Sequence, residues 1–476
     1  MANMRAAPAL DIATGISAFE RATLERRSDP ALGPQGLAAP TTAPGPRALP
    51  EDGSATIRAM HMVCADDLDR AFVEQMALVA RSEGFRLVVQ VPAGQQYQDL
   101  GQKYPDVISL APLRGMQQAG VDFTAWTEDQ GEVAPDRLDA SGHLRPGEVA
   151  ISAPLKGLDI RKLMEDGRAQ RLSQHLHVEP WEVSFQAMLI PMQGSVWESS
   201  ADLLMAARAV ATERPLSERL TYLEGGNVLM GKKPDGGLYA LVGRDSQVIS
   251  QAVLERDLGR KVSADEVTEA VARDLGVAAA DVHWIEQPGA FHLDMGMLFA
   301  RPGVVILNDA RASARQLKEH LEKTHESSRP EPPPASADAA AKADYQKRLK
   351  KWEDELVSAR FDIKMWCDCV LPFEDLAAAE LQQIPGLSVV RLAGVFPKTK
   401  ISPPANFLNG ERGKGANGTE FFVGLGGDPA LQDAFAAELK KLNPGLHTYF
   451  LPPELTAKTL EKKGGIGCRC KAEGSL

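Results

Sequence analysis

The chain has 476 residues, with 53 Lys and Arg against 64 Asp and Glu, a formal net charge of −11 and 44% hydrophobic residues. The acid excess argues against a duplex nucleic acid partner, which a basic face would mark, and suits a cationic substrate. No run approaches the roughly 20 apolar residues of a membrane helix, no apolar stretch follows Arg5 as a secretory signal requires, and five cysteines are too few for a disulfide scaffold. The expectation is a cytoplasmic enzyme or binding module with no membrane partner; export as an effector is the alternative.

Residues 1–54 read as a disordered leader, with one short helix over Ile16–Arg27 and then Pro30, Pro34, Pro40, Pro44, Pro46 and Pro50 among small residues. From Thr56 the texture changes, and residues 55–476 are expected to form the folded domain. Ile57–Val63 predicts a strand, the spacing of Leu68, Phe72, Met76 and Val79 predicts a helix over Ala65–Glu83, and Phe85–Val91 predicts a second strand. The alternation continues. Further strands are expected at Val149–Ile151, Ala187–Pro191, Leu203–Ala206, Ala209–Ala211, Asn227–Met230, Leu238–Val242, Val282–Ile285, Val304–Leu307, Leu387–Leu392, Phe421–Gly424 and His447–Leu451. Helices are expected at Ser246–Leu258, Ala264–Leu275, Ala312–Lys323, Leu376–Leu381 and Pro429–Lys441. This is an α/β pattern. A Pro/Ala-rich insertion at about 325–358 interrupts it and reads as a surface loop followed by a charged helix over Tyr345–Arg360.

Three local signals carry chemistry. In Leu223-Glu224-Gly225-Gly226-Asn227 a carboxylate precedes two glycines that let the backbone approach a ligand, or simply make a turn. In Phe291-His292-Leu293-Asp294, an extended backbone would place His292 and Asp294 on one face. That pair suits acid/base work, metal ligation or a surface contact. In Lys463-Gly464-Gly465-Ile466-Gly467-Cys468-Arg469-Cys470, glycines lead to a cysteine that is either a reactive thiol or part of a frayed tail. Cys367 and Cys369 with Cys468 and Cys470 would supply four thiolates for zinc, although a C-x-C spacing is atypical. His175 and His177 have the spacing of a strand metal pair without further ligands. The glycine-rich stretch Asn406–Gly418 reads as a surface loop or a mobile lid.

Taken together, the acid-Gly-Gly, His-x-Asp and Gly-Gly-x-x-Cys signals resemble the pentein superfamily of guanidino-group-modifying enzymes. Its members include arginine and agmatine deiminases, peptidyl-arginine deiminases, dimethylarginine hydrolases and amidinotransferases. The resemblance implies an α/β propeller of five ββαβ modules. It implies Cys468 as nucleophile, His292 as general acid/base, Glu224 as the acid orienting His292, and Asp294 and Asn227 at the substrate. A further carboxylate is expected just upstream of Ala209–Arg219. Counting back from Thr212 lands on Ser200, which leaves Asp202, preferred, and Glu198. The implied activity is a deiminase acting on a guanidino small molecule or an arginyl protein, with amidino transfer or an inactive binding module as alternatives. Neither a metal nor an organic cofactor is called for.

Overall fold

A computed structural model describes residues 10–27, 45–92, 97–114, 132–139, 141, 143–189, 205–210, 212–289, 291–461 and 464–476. The fold is mixed α/β. The strand Thr56–Val63 lies between Lys471–Ser475, antiparallel, and Arg86–Pro92, parallel. The helix Asp67–Glu83 makes the crossover between the two parallel strands. Its Asp66 cap accepts from the Asp69 N–H, and Gly84 ends it at φ 79°, the left-handed region that glycine enters without a Cβ penalty. Phe72, Val73, Met76, Ala77 and Ala80 recur at helical spacing and are buried in the same cluster as Met60, Leu87 and Val89 of the sheet.

That ordering recurs: an antiparallel pair, a helical crossover, then a strand parallel to the second member. Glu132–Val133 pairs with Val149–Ile151, which Leu216–Glu218 joins. Val228–Lys232 pairs with Leu238–Gly243, and Val282–Ile285 follows after the helices Arg244–Leu258 and Ala264–Leu275. Met297–Arg301 pairs with Val304–Asn308, joined by Ser388–Leu392. Gly410–Lys414 pairs with Glu420–Leu425, and His447–Leu451 follows the helix Pro429–Leu442. The helix Ala264–Leu275 has the bounds its sequence predicts. Ser263 and Glu266 form a capping box and Gly276 closes the other end, features that stabilise a helix by about 1 kcal/mol each.

The structure corrects three expectations. Much of the leader is packed: the helix expected over Ile16–Arg27 is present as Ile12–Arg27, and its Thr23 donates to Glu218 in the body. Residues 45–54 run along the body, with the Arg47 N–H on the Leu275 carbonyl at 3.0 Å and the Glu51 N–H on the Met230 carbonyl at 2.9 Å. Asp52 accepts from the Lys232 N–H at 2.7 Å. The composition is poor in large apolar groups, but its backbone donors find partners on neighbouring strands and turns, and Ala48 and Leu49 are buried. Residues 28–44 lie outside the described residues.

The insertion is a loop, 327–338, followed by a helix, but that helix does not end near Arg360. A single helix, Ala339–Leu381, runs from it into the body and packs along Ala310–Glu326. His325 stacks on Trp352 with ring centroids 4.8 Å apart, and Arg360 meets Glu322 at 2.7 Å. Its outer part is charged and exposed, whereas Ile363, Val370, Phe373, Ala377 and Leu381 are buried. The change of texture along one helix therefore reads in sequence as two elements.

Ala187–Leu189 belongs to the helix Pro180–Leu189, and residues 205–210 are helical rather than strands. Short apolar runs carry no period that separates the two states.

Candidate active site

Glu224 stands in extended backbone, and Gly225–Asn227 makes one 3-10 turn before the strand Val228–Lys232. His292 and Asp294 lie on a turn, not on the extended segment expected from sequence. The Gly296 and Met297 N–H groups both reach the Leu293 carbonyl, at 3.0 and 2.9 Å. Leu293 is buried with Leu229, Ile285 and Met297, and this fixes the turn from beneath. His292 Nε2 meets Glu224 Oε2 at 2.6 Å, and the Tyr222 hydroxyl donates to Glu224 Oε1.

Gly226 is the reason the two segments can meet. Its carbonyl accepts from the Asp294 N–H at 3.1 Å. A Cβ at this position would lie 2.6 Å from His292 Nδ1 and 2.9 Å from Asp294 Oδ1, closer than side-chain atoms pack.

Cys468 sits in the short helical turn Ile466–Arg469, immediately before the last strand. It is 1% exposed, so the frayed-tail alternative is excluded. Arg469 holds the turn by donating to Asp69 at 2.8 Å and lying over the Phe72 ring at 5.1 Å. Lys471 then pairs with buried Glu132 at 2.7 Å. The Cys468 sulfur is 4.0 Å from Asp294 Oδ2. One nitrogen of His292, one oxygen of Asp294 and the sulfur lie within 4.8 Å of one another.

Four of the expected residues, Glu224, His292, Asp294 and Cys468, thus converge and are all buried. Asn227 does not join them in the manner expected. Its amide donates to Ser246 Oγ at 2.9 Å and packs against Gly243, so it ties the 3-10 turn to the helix Arg244–Leu258. Asp202 and Glu198 lie outside the described residues, as does Lys463. Cys367 and Cys369 lie on the helix Ala339–Leu381, and no donor cluster among the described residues joins them to Cys468 and Cys470. His175 lies at the end of the helix Ile160–Leu176 and His177 caps it, so the two are not a strand pair.

Two further groups belong to the site. Tyr222 is two residues before Glu224, and the shared face of an extended backbone was the available signal. Asn409 lies in the stretch read as a surface loop or lid, yet Asn406, Phe407, Leu408 and Asn409 are all buried. The Asn406 amide donates to the Met295 carbonyl at 2.8 Å, while its side-chain oxygen accepts from the Leu408 and Asn409 N–H groups at 3.0 and 3.2 Å. The nearby cations are turned elsewhere: Arg412 to Glu420 and Arg469 to Asp69. Among the described residues, the groups near the sulfur include the Asp294 carboxylate, the His292 imidazole and the Asn409 amide.

No family model and no curated protein matches the sequence. Among solved structures, the chain is similar to C. jejuni agmatine deiminase, at 9% identity over 91% of this chain and 98% of that one, with a TM-score of 0.47. A Cys-to-Ser form of that enzyme with substrate bound matches at 10% identity over 90% and 97%, with a TM-score of 0.45. A Cys-to-Ser DDAH from Pseudomonas aeruginosa complexed with citrulline matches at 10% identity over 88% and 99%, with a TM-score of 0.30. These neighbours are members of the pentein superfamily.

Proposed function

We propose that the protein is a pentein-type guanidino-group hydrolase, a deiminase that converts an arginine-type guanidinium to a ureido product and ammonia. The observation that carries this reading is the meeting of Cys468 with His292, Asp294 and Glu224, from three distant parts of the chain, in one buried cluster. Among the described residues, five antiparallel pairs are each followed by a parallel strand, and they support an arrangement of five ββαβ modules around the site.

The chemistry follows from the groups present. Asp294 accepts guanidinium N–H groups together with a second carboxylate, for which the sequence offers Asp202 and Glu198 upstream of Ala209 and Asp129 before the strand Glu132–Val133. The cation, once bound beside Cys468, offsets the negative charge of Asp294 and favours the thiolate. The sulfur attacks the guanidinium carbon and forms a C–S bond. The C–N bond then breaks, and ammonia leaves with a proton from His292. Water next attacks the S-linked amidino carbon as His292 takes its proton. The C–S bond breaks, the ureido product leaves, and the thiolate returns. Glu224 holds the imidazole and stabilises its charged form.

The test is release of ammonia and a ureido product from arginine, agmatine and arginyl peptides, with Cys468→Ala as control. Turnover by Cys468→Ala at the wild-type rate overturns the nucleophile assignment. An amidino product formed only with an added glycine acceptor would instead make the protein an amidinotransferase.

A further inference from the structure

We infer that Asn409 is a positioning residue for the nucleophile, holding the Cys468 sulfur and the Asp294 carboxylate in one geometry. This rests on the hydrolase reading for its meaning but not for its test. Asn409 is fully buried. Its Nδ2 donates to Asp294 Oδ2 and lies 3.9 Å from Cys468 Sγ. Its Oδ1 accepts from the Gly467 N–H at 2.9 Å. A backbone N–H can bond only to the amide oxygen, so this contact fixes which end of the amide faces the sulfur. The approach also explains Gly465: a Cβ there would lie 1.9 Å from Asn409 Oδ1.

The arrangement does two things at once. The amide links the loop bearing the substrate carboxylate to the turn bearing the thiol, so the two move as a unit. It also presents an N–H to the sulfur, which stabilises the thiolate over the thiol. The other charged groups around that turn act differently. Asp294 opposes the thiolate, and His292 is held by Glu224. Arg469 is directed to Asp69 and Arg412 to Glu420, while Glu411 lies on the adjoining strand. Asn409 is the neutral donor in this set.

The experiment compares Asn409→Ala, Asn409→Asp and Asn409→Gln in the full chain. The thiolate of Cys468 is followed by its ultraviolet absorbance against pH, with a Cys468→Ser protein as background. This readout needs no substrate, so it reports on Asn409 even if guanidino hydrolysis is not found. Asn409→Ala is expected to raise the apparent pKa of Cys468 by about one unit, because a donor to the charged form is lost. Asn409→Asp is expected to raise it further, because it adds a like charge. With a turnover assay in hand, kcat falls about tenfold or more in Asn409→Ala while KM changes little, and Asn409→Gln recovers part of the loss. Near-ultraviolet circular dichroism checks that each variant is folded. Folded Ala and Asp variants with the wild-type thiolate titration overturn the proposal. If all three variants unfold, a Gly465→Ala protein, which displaces the same amide from outside, must show the raised pKa, and a wild-type titration there also overturns it.

Discussion

The Tyr222 hydroxyl donates to Glu224 Oε1 while His292 Nε2 meets Oε2, so one buried carboxylate is held on both oxygens. The phenol fixes the plane of the carboxylate, and the carboxylate fixes the imidazole. A hydrogen bond to a charged group is worth roughly 1.5–3 kcal/mol. Tyr222→Phe is therefore expected to lower kcat by about ten- to a hundredfold with KM little changed. Steady-state kinetics check this, and an unchanged kcat would mean that Glu224 needs no second anchor.

Gly226 gives a sharper steric test. Alanine there puts a methyl group against His292 Nδ1 and Asp294 Oδ1. The fold should survive, because Gly226 packs at the site rather than in the central core. Activity should fall at least a hundredfold, as expected when catalytic groups are displaced by about 1 Å. A Gly226→Ala protein with wild-type turnover is incompatible with His292 and Asp294 acting together.

The second carboxylate can be sought by chain position. Glu224, Asp294, Asn409 and Cys468 each stand a few residues before the first strand of an antiparallel pair. Of the five pairs that a parallel strand joins, the remaining one begins at Glu132, and the acids just before it in sequence are Glu128 and Asp129. Asp129→Asn is expected to raise KM and lower kcat more than Asp202→Asn or Glu198→Gln. The reverse order would return the role to the segment upstream of Ala209.

Acid sensitivity should trace partly to His61, which lies outside the site. It is buried against Glu473, its Nε2 at 2.9 Å from Oε1. Burial, together with Arg208, pushes its pKa from 6.5 down to about 4. The folded chain thus keeps His61 neutral, while the unfolded chain protonates it below 6.5. The associated stability is complete above pH 6.5 and is lost as pH falls toward about 4, in an amount of roughly 3 kcal/mol. In His61→Gln, urea-unfolding free energies should show a correspondingly shallower slope across that window. Equal slopes in the two proteins would remove His61 from the account.

The four converging residues were legible because they stand in short contiguous signals: Glu224 before two glycines, His292 spaced from Asp294, and glycines before Cys468. Their neighbours were not. Asn409 reads as part of a polar, glycine-rich loop, and only the pairing of Gly410–Lys414 with Glu420–Leu425 reveals a buried strand. Asn227 is expected at the substrate from the resemblance, but in the 3-10 turn its amide donates to Ser246. The helix Ala264–Leu275 could be read to the residue because cap, period and terminal glycine agree. The leader was misjudged because backbone hydrogen bonds to neighbouring strands and turns leave no mark in composition.

The antiparallel partner of Thr56–Val63, the strand Lys471–Ser475, is made after every other described strand. During synthesis the first sheet waits with that flank unpaired. Cys468 meets His292 and Asp294 only once residues 466–475 have been made and have settled beside Thr56–Val63. Assembly of the cluster thus waits on a segment translated more than 170 residues after Asp294, and a chain lacking Lys471–Ser475 is expected to hold Glu224, His292 and Asp294 without the strand that seats Cys468.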